Sequence, residues 1–128
     1  MPFLEFNSAK IHYETKGSGP AVVFVHAGIA DSRMWDDQWD VFAEYYQVIR
    51  LDTRGYGQTL SADVEYANHD DIRALLDHLG VQKAALVGCS RGGQIAIDTI
   101  LENPKRVWAY VSVCGGLNGF TWDAMPQN

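Results

Sequence analysis

The stretch Leu86-Val87-Gly88-Cys89-Ser90-Arg91-Gly92-Gly93 carries more structural information than any other in this chain. Ala84 to Val87, just ahead of the first glycine, is an apolar run of the kind that forms a short buried strand. Downstream, Gln94 to Glu102 carries Ile95, Ile97, Ile100 and Leu101 at helical spacing. Strand and helix are therefore joined directly through Gly88-Cys89-Ser90-Arg91-Gly92, a G-x-S-x-G turn. Glycines at 88 and 92 leave room where the two backbones nearly touch. The turn lifts Ser90 above the sheet, in a backbone conformation costing roughly 1–3 kcal/mol. Two readings fit such a turn: a serine exposed for nucleophilic chemistry beside a base, or a tight connection with no chemistry. Under the first, the N–H groups and positive dipole end of the helix start face a developing oxyanion.

Outward from this turn, the composition bounds the rest. A length of 128 residues holds one domain with a real core and not two. With 47% hydrophobic and 20% charged residues, the chain has the make-up of an ordinary soluble globular protein. A net charge of −6 with no basic cluster argues against nucleic acid or an anionic membrane as partner. The start, Met1-Pro2-Phe3-Leu4-Glu5, lacks the basic-then-apolar order of a signal peptide, and the longest apolar stretch, Val107 to Cys114, is far too short to span a bilayer. Two cysteines, Cys89 and Cys114, make no disulfide framework, so a reducing, cytoplasmic setting is expected.

From the N-terminus, Phe3 to Phe6 and Lys10 to Thr15 read as strands joined by a tight turn at Asn7-Ser8-Ala9. His12 reads as an ordinary strand histidine. Ala21 to Val25 is a valine-rich apolar run, the mark of a strand buried on both faces, and it ends in His26-Ala27-Gly28. A helix follows, capped by Asp31 or Ser32, with Trp35, Trp39 and Phe42 on its core-facing stripe. Gln47 to Leu51 is the next strand, and it runs into Asp52-Thr53-Arg54-Gly55-Tyr56-Gly57. Asp52 and Arg54 have two readings, a catalytic acid with an anion binder or, as expected here, a pair that ties that glycine-rich turn by a charge-assisted hydrogen bond. Asn68 is expected to cap a helix with Ile72, Leu75, Leu76 and Leu79 as its stripe and Gly80 at its end. His69 and His78, near its two ends, read as surface histidines; no His, Cys or carboxylate cluster has metal-ligand spacing. After the G-x-S-x-G helix, which stops at Asn103 before Pro104, Val107 to Val113 reads as another buried strand. Strands alternating with helices predict an α/β fold: a mostly parallel sheet with flanking helices, starting with an antiparallel hairpin.

Taken in order, these motifs resemble the N-terminal half of the α/β-hydrolase fold, of the small esterase and lactonase type. The likeness rests on an apolar strand into His26-Ala27-Gly28, then Asp52-Thr53-Arg54-Gly55-Tyr56-Gly57, then the nucleophile elbow Gly88-Cys89-Ser90-Arg91-Gly92-Gly93. The resemblance implies Ser90 as nucleophile and the backbone N–H groups of Arg91 and Gly28 as oxyanion donors. It makes His26, Gly88 and Gly92 supports of the two loops. It implies small esters or lactones as substrates, and no metal or organic cofactor. Ala27 stands where many members carry glycine.

Length is the departure. Members of the family run to about twice this size and place the acid and histidine later, in the order Ser, Asp or Glu, His. All four histidines here precede Ser90, and Cys114-Gly115-Gly116 supplies no carboxylate; Asp123 follows without further support. The reading is thus one incomplete hydrolase domain over residues 1–128, lacking the late strands, the cap, the triad acid and the histidine. Losing the base costs on the order of a million-fold in turnover, leaving roughly 10³–10⁴ over water. The isolated chain is expected to be inactive or feeble. The alternative is a non-catalytic half-domain that self-associates, as a dimer or higher oligomer, through Val107–Val113 as an exposed sheet edge.

Overall fold

The computed structural model describes residues 2–113. Cys114, the glycine-rich loop after it and Asp123 lie outside the described residues.

Strands β1 (Phe3–Phe6) and β2 (Ala9–Lys16) form an antiparallel hairpin, with Phe3 opposite His12 and Phe6 opposite Ala9. Its two-residue turn places both Asn7 (φ 45°) and Ser8 (φ 61°) in the left-handed region. That double positive φ is the geometry whose twist matches the flanking strands. Strand β2 then lies antiparallel to β4 (Gln47–Leu51), and from there the sheet is parallel: β4 beside β3 (Ala21–Val25), β3 beside β6 (Ala84–Cys89), β6 beside β7 (Val107–Val113). The order across the sheet is β1-β2-β4-β3-β6-β7. A two-residue strand, β5 (Leu60–Ser61), pairs with β2 and has no counterpart in the sequence reading.

Every residue of β3 is buried, because both of its faces are covered. Val23 and Val25 point into a core with Ile49, Leu51, Leu86 and the apolar stripes of helices α2 (Asn68–His78) and α3 (Arg91–Glu102). Val22 and Phe24 point the other way, against Trp35, Trp39 and Val48. The two tryptophans are core residues, as their spacing predicts, but they do not share one regular helix. Asp31 caps a 3₁₀ turn, Ser32–Trp35, by accepting the Arg33 N–H at 2.9 Å, and α1 (Asp36–Ala43) continues from it. Burying each large apolar side chain here contributes about 1.5–3 kcal/mol.

Three expectations are corrected. Asn68 is the first residue of α2 and not its cap; Ala67 occupies that position without a side-chain bond. Gly80 does end the helix, at φ 68°, with Gly80 N–H on the Asp77 carbonyl and Val81 N–H on the Leu76 carbonyl, a Schellman arrangement. Strand β7, read from its apolar run as a buried strand, is the edge of the described sheet, as the half-domain alternative has it, with Trp108 and Val111 about half exposed. Asp52 and Arg54 do not pair with each other. Arg54 makes a two-pronged ion pair with Asp71 of α2, at 2.8 and 3.0 Å, both side chains fully buried. It also donates to the Phe6 and Asn7 carbonyls, so it locks the hairpin onto α2. Finally, among the described residues no helix is long and apolar enough to cross a membrane.

Candidate active site

Strands β4, β3 and β6 are neighbours and run parallel, so the loops that leave their carboxyl ends emerge side by side. β3 is followed by α1 and then β4 on one side, whereas β6 lies on the other. The chain therefore reverses direction across the sheet between β3 and β6, where α/β sheets open a crevice. The loops that begin at His26, Asp52 and Ser90 meet there.

Ser90 sits between β6 and α3 at φ 54° and ψ −113°, a conformation that L residues rarely adopt, and it is exposed. Its neighbours show why the turn holds. A side-chain carbon on Gly88 would collide with the Gly92 backbone, and one on Gly92 would collide with the Val25 and His26 carbonyls. Ser90 N–H donates to the Val113 carbonyl at 2.7 Å, and its own carbonyl accepts the Gly93 N–H at 2.9 Å. Arg91 is the first residue of α3, where N–H groups lack an intrahelical acceptor.

The β3 loop is held by His26. Its ring is fully buried; Nδ1 donates to the Ala27 carbonyl at 2.7 Å, and Nε2 accepts the Thr53 N–H at 3.0 Å. That pairing fixes one neutral tautomer. Burial holds the imidazole pKa below its ordinary value near 6.5, although the Ala27 hydrogen bond pulls the other way. With both nitrogens engaged, His26 has no free site for a proton from Ser90. The same Ala27 carbonyl also accepts the Ala30 N–H, while the Gly28 N–H has no acceptor among the described residues. Gly28 abuts the elbow: a side-chain carbon on it would stand 3.5 Å from Cβ and 3.0 Å from Cδ of Arg91.

Asp52 organises the third loop from beneath. Oδ1 accepts the Ser32 N–H at 2.8 Å, and Oδ2 accepts the Gln58 N–H and the His12 Nδ1–H, each at 3.0 Å. Burial raises the Asp52 carboxyl, but these hydrogen bonds outweigh it and the pKa ends below the usual 3.8. His12 is thus a buried partner of Asp52 and not an isolated strand histidine. His78 is exposed and lies edge-on to Tyr13; the half-buried His69 lies 3.4 Å from Asp70. Among the described residues no imidazole hydrogen-bonds Ser90, and no cluster of His, Cys, Asp and Glu has the make-up of a metal site.

Two residues escaped the sequence reading. Thr53 joins all three loops: its N–H reaches His26, and its Oγ1 accepts Arg91 Nη1–H at 3.1 Å. Tyr56 stands between His26 (ring centroids 5.4 Å apart) and the Arg91 guanidinium (5.0 Å above its face). Both belong to the Asp52–Gly57 turn, whose position in the sequence was the signal.

Comparison with known proteins agrees with this geometry. The model of the alpha/beta hydrolase fold matches residues 20–128. A 2-hydroxy-6-oxononadienedioate/2-hydroxy-6-oxononatrienedioate hydrolase of Comamonas testosteroni is 31% identical over 127 residues, covering 92% of this chain and 44% of that protein. A pimeloyl-[acyl-carrier protein] methyl ester esterase of Aliivibrio fischeri (strain MJ11) is 28% identical over 106 residues, covering 83% of this chain and 40% of that protein. The solved structure of Est816, described as an N-acyl homoserine lactone degrading enzyme, superimposes with a TM-score of 0.86 at 35% identity, covering 90% of this chain and 46% of that one. The chain spans less than half the length of each. Elbow, strand order and family model agree: the chain belongs to the α/β hydrolase fold family.

Proposed function

We propose that this chain carries the nucleophile half of a serine hydrolase acting on small esters or lactones. Ser90 is the nucleophile, and the backbone N–H groups of Gly28 and Arg91 bind the oxyanion; His26, Gly88 and Gly92 shape the loops that hold them. The observation that carries this reading is the exposed Ser90 at φ 54° between β6 and α3, on a turn that admits only glycine at 88 and 92. A strained, exposed serine beside open N–H groups is what acyl transfer requires. The methyl ester esterase and the lactone-degrading Est816 among its relatives support the substrate class. Attack by Ser90 Oγ on the acyl carbon forms an acyl-serine and expels the alcohol; water then releases the acid. Both steps need a base. Among the described residues no imidazole hydrogen-bonds Ser90, and His12 and His26 are committed elsewhere; on this reading the triad acid and histidine lie outside residues 2–113, and the isolated chain turns over feebly or not at all.

The test is labelling with a fluorophosphonate, read by intact mass and peptide mapping, with Ser90→Ala as control. The isolated chain is expected to label at Ser90 at least about 10³-fold more slowly than a complete relative, and free imidazole is expected to speed it. Rapid labelling at another residue overturns the assignment of Ser90. Rapid labelling at Ser90 without imidazole overturns the missing base.

A second reading, self-association through β7, is favoured by the half-exposed Trp108 and Val111 on the edge of the described sheet.

A further inference from the structure

Six arginines occur in the chain, and all lie among the described residues. Five have a carboxylate partner: Arg33 with Asp31, Arg50 with Glu14 and Asp36, Arg54 with Asp71, and both Arg73 and Arg106 with Asp77. Arg91 has none among the described residues. It is also the arginine that adjoins Ser90. Among the described residues it is thus the one guanidinium without a carboxylate partner, in a chain with net charge −6.

Its side chain is held, not loose. It passes close over Gly28: a side-chain carbon there would lie 3.0 Å from Arg91 Cδ, tighter than ordinary contact. The guanidinium then rests 5.0 Å above the Tyr56 ring and donates once, from Nη1 to Thr53 Oγ1 at 3.1 Å. A guanidinium has five N–H donors in a planar fork, so four remain without a protein acceptor among the described residues. The half-buried position weakens solvent screening without removing access. Ile29, fully exposed, and Met34 line an open depression that also takes in Tyr56, and the acids on that surface, Asp31 and Asp36, are already paired with Arg33 and Arg50. Among the described residues, the surface beside the elbow thus offers apolar area and one pre-positioned fork without a carboxylate partner.

We propose that the Arg91 side chain is a specificity residue that binds a carboxylate on the substrate, so that the hydrolase acts on esters or lactones bearing a second, anionic group. This rests on Ser90 being the nucleophile and gives that site its substrate class. A carboxylate can accept two parallel N–H bonds from the fork while the ester carbonyl lies toward Gly28 and Ser90. The Thr53 bond and the Tyr56 stack set the guanidinium beforehand, which lowers the ordering cost of binding.

The experiment is a titration of the isotope-labelled chain with monomethyl glutarate and with neutral methyl hexanoate at fixed ionic strength, followed in the Arg91 Nε–Hε and Gly28 amide resonances. The expected result is saturable shifts of both signals with monomethyl glutarate only. Arg91→Gln is expected to weaken that binding about tenfold or more, as loss of a charged hydrogen bond does, and Arg91→Lys to restore part of it. Arg91→Lys also keeps the charge if Arg91→Gln loosens the loops, which the Gly28 signal reports. Equal binding of the two esters, or native-like anion binding by Arg91→Gln, overturns the proposal. Fluorophosphonate labelling of Ser90 reports the nucleophile separately: anion binding with no activatable Ser90 sinks that reading and leaves the Arg91 site standing.

Discussion

His26 Nε2 accepts the Thr53 backbone N–H at 3.0 Å, across 27 residues of sequence, and this single bond ties the loop after β3 to the loop after β4. It also decides what His26 is. An imidazole whose Nδ1–H is given to a carbonyl and whose Nε2 lone pair is taken by a buried N–H is a structural member, neutral by construction.

Replacing His26 therefore strands a buried donor. His26→Ala is expected to destabilise the chain by about 1–3 kcal/mol beyond the loss of packing, because the Thr53 N–H loses its acceptor. A urea midpoint equal to that of the native chain removes this account.

The same residue sets a pH dependence. Its folded pKa lies below 6.5, so the folded state binds fewer protons than the unfolded state just under that pH. Stability is then complete above about 6.5 and falls as pH drops below it. Asp52 acts at lower pH: its folded pKa is below 3.8, so its contribution is present above that value and is lost as pH falls through the folded pKa. Urea midpoints between neutral and acid pH should decline in these two windows, and His26→Gln should flatten the upper one.

Arg54 and Asp71 form the most buried ion pair among the described residues. Arg54→Met alone should cost about 3–5 kcal/mol, since it leaves an unpaired buried carboxylate. The double variant Arg54→Met, Asp71→Leu should recover more than half of that loss. A double variant no more stable than Arg54→Met means that the pair's charge balance is not what matters there.

Two glycines separate space from backbone strain. Gly92→Ala meets the Val25 and His26 carbonyls and should cost more than about 4 kcal/mol or prevent folding. Gly55, at φ 90° with nothing within 4 Å of its added carbon, should lose only about 1–2 kcal/mol as alanine. Similar denaturation midpoints for the two variants contradict the close approach of strand and helix.

Self-association through β7 is checked by sedimentation. The native chain should form dimers or larger species at micromolar concentration, and Val111→Lys should weaken them, because a lysine on an edge strand opposes pairing. A monodisperse native monomer removes this reading.

Much of this architecture was readable before any coordinates. The bounds of β3, β4 and β7, the start of β6 at Ala84, the Gly80 stop and the strand–Ser90–helix turn agree with the reading of apolar runs and glycine positions, because those signals are local: they depend on neighbours within one turn or one strand. What the sequence left open was which polar group meets which. Asp71, in the first turn of α2, is the buried partner of Arg54; Asp52 reads as the partner of Arg54 and instead gathers His12, Ser32 and Gln58. The apolar run Val107 to Val113 reads by itself as buried, and only the resemblance to a half-fold put it at a sheet edge, where it lies in the described sheet, since an apolar run does not reveal its place in the strand order. Those pairings span 6 to 40 residues, and they follow from the order β2-β4-β3-β6, which brings distant strand ends together. Local pattern determined the elements and the elbow; only the packing of the sheet decided that Thr53, Tyr56 and Arg91 would close around Gly28 beside Ser90.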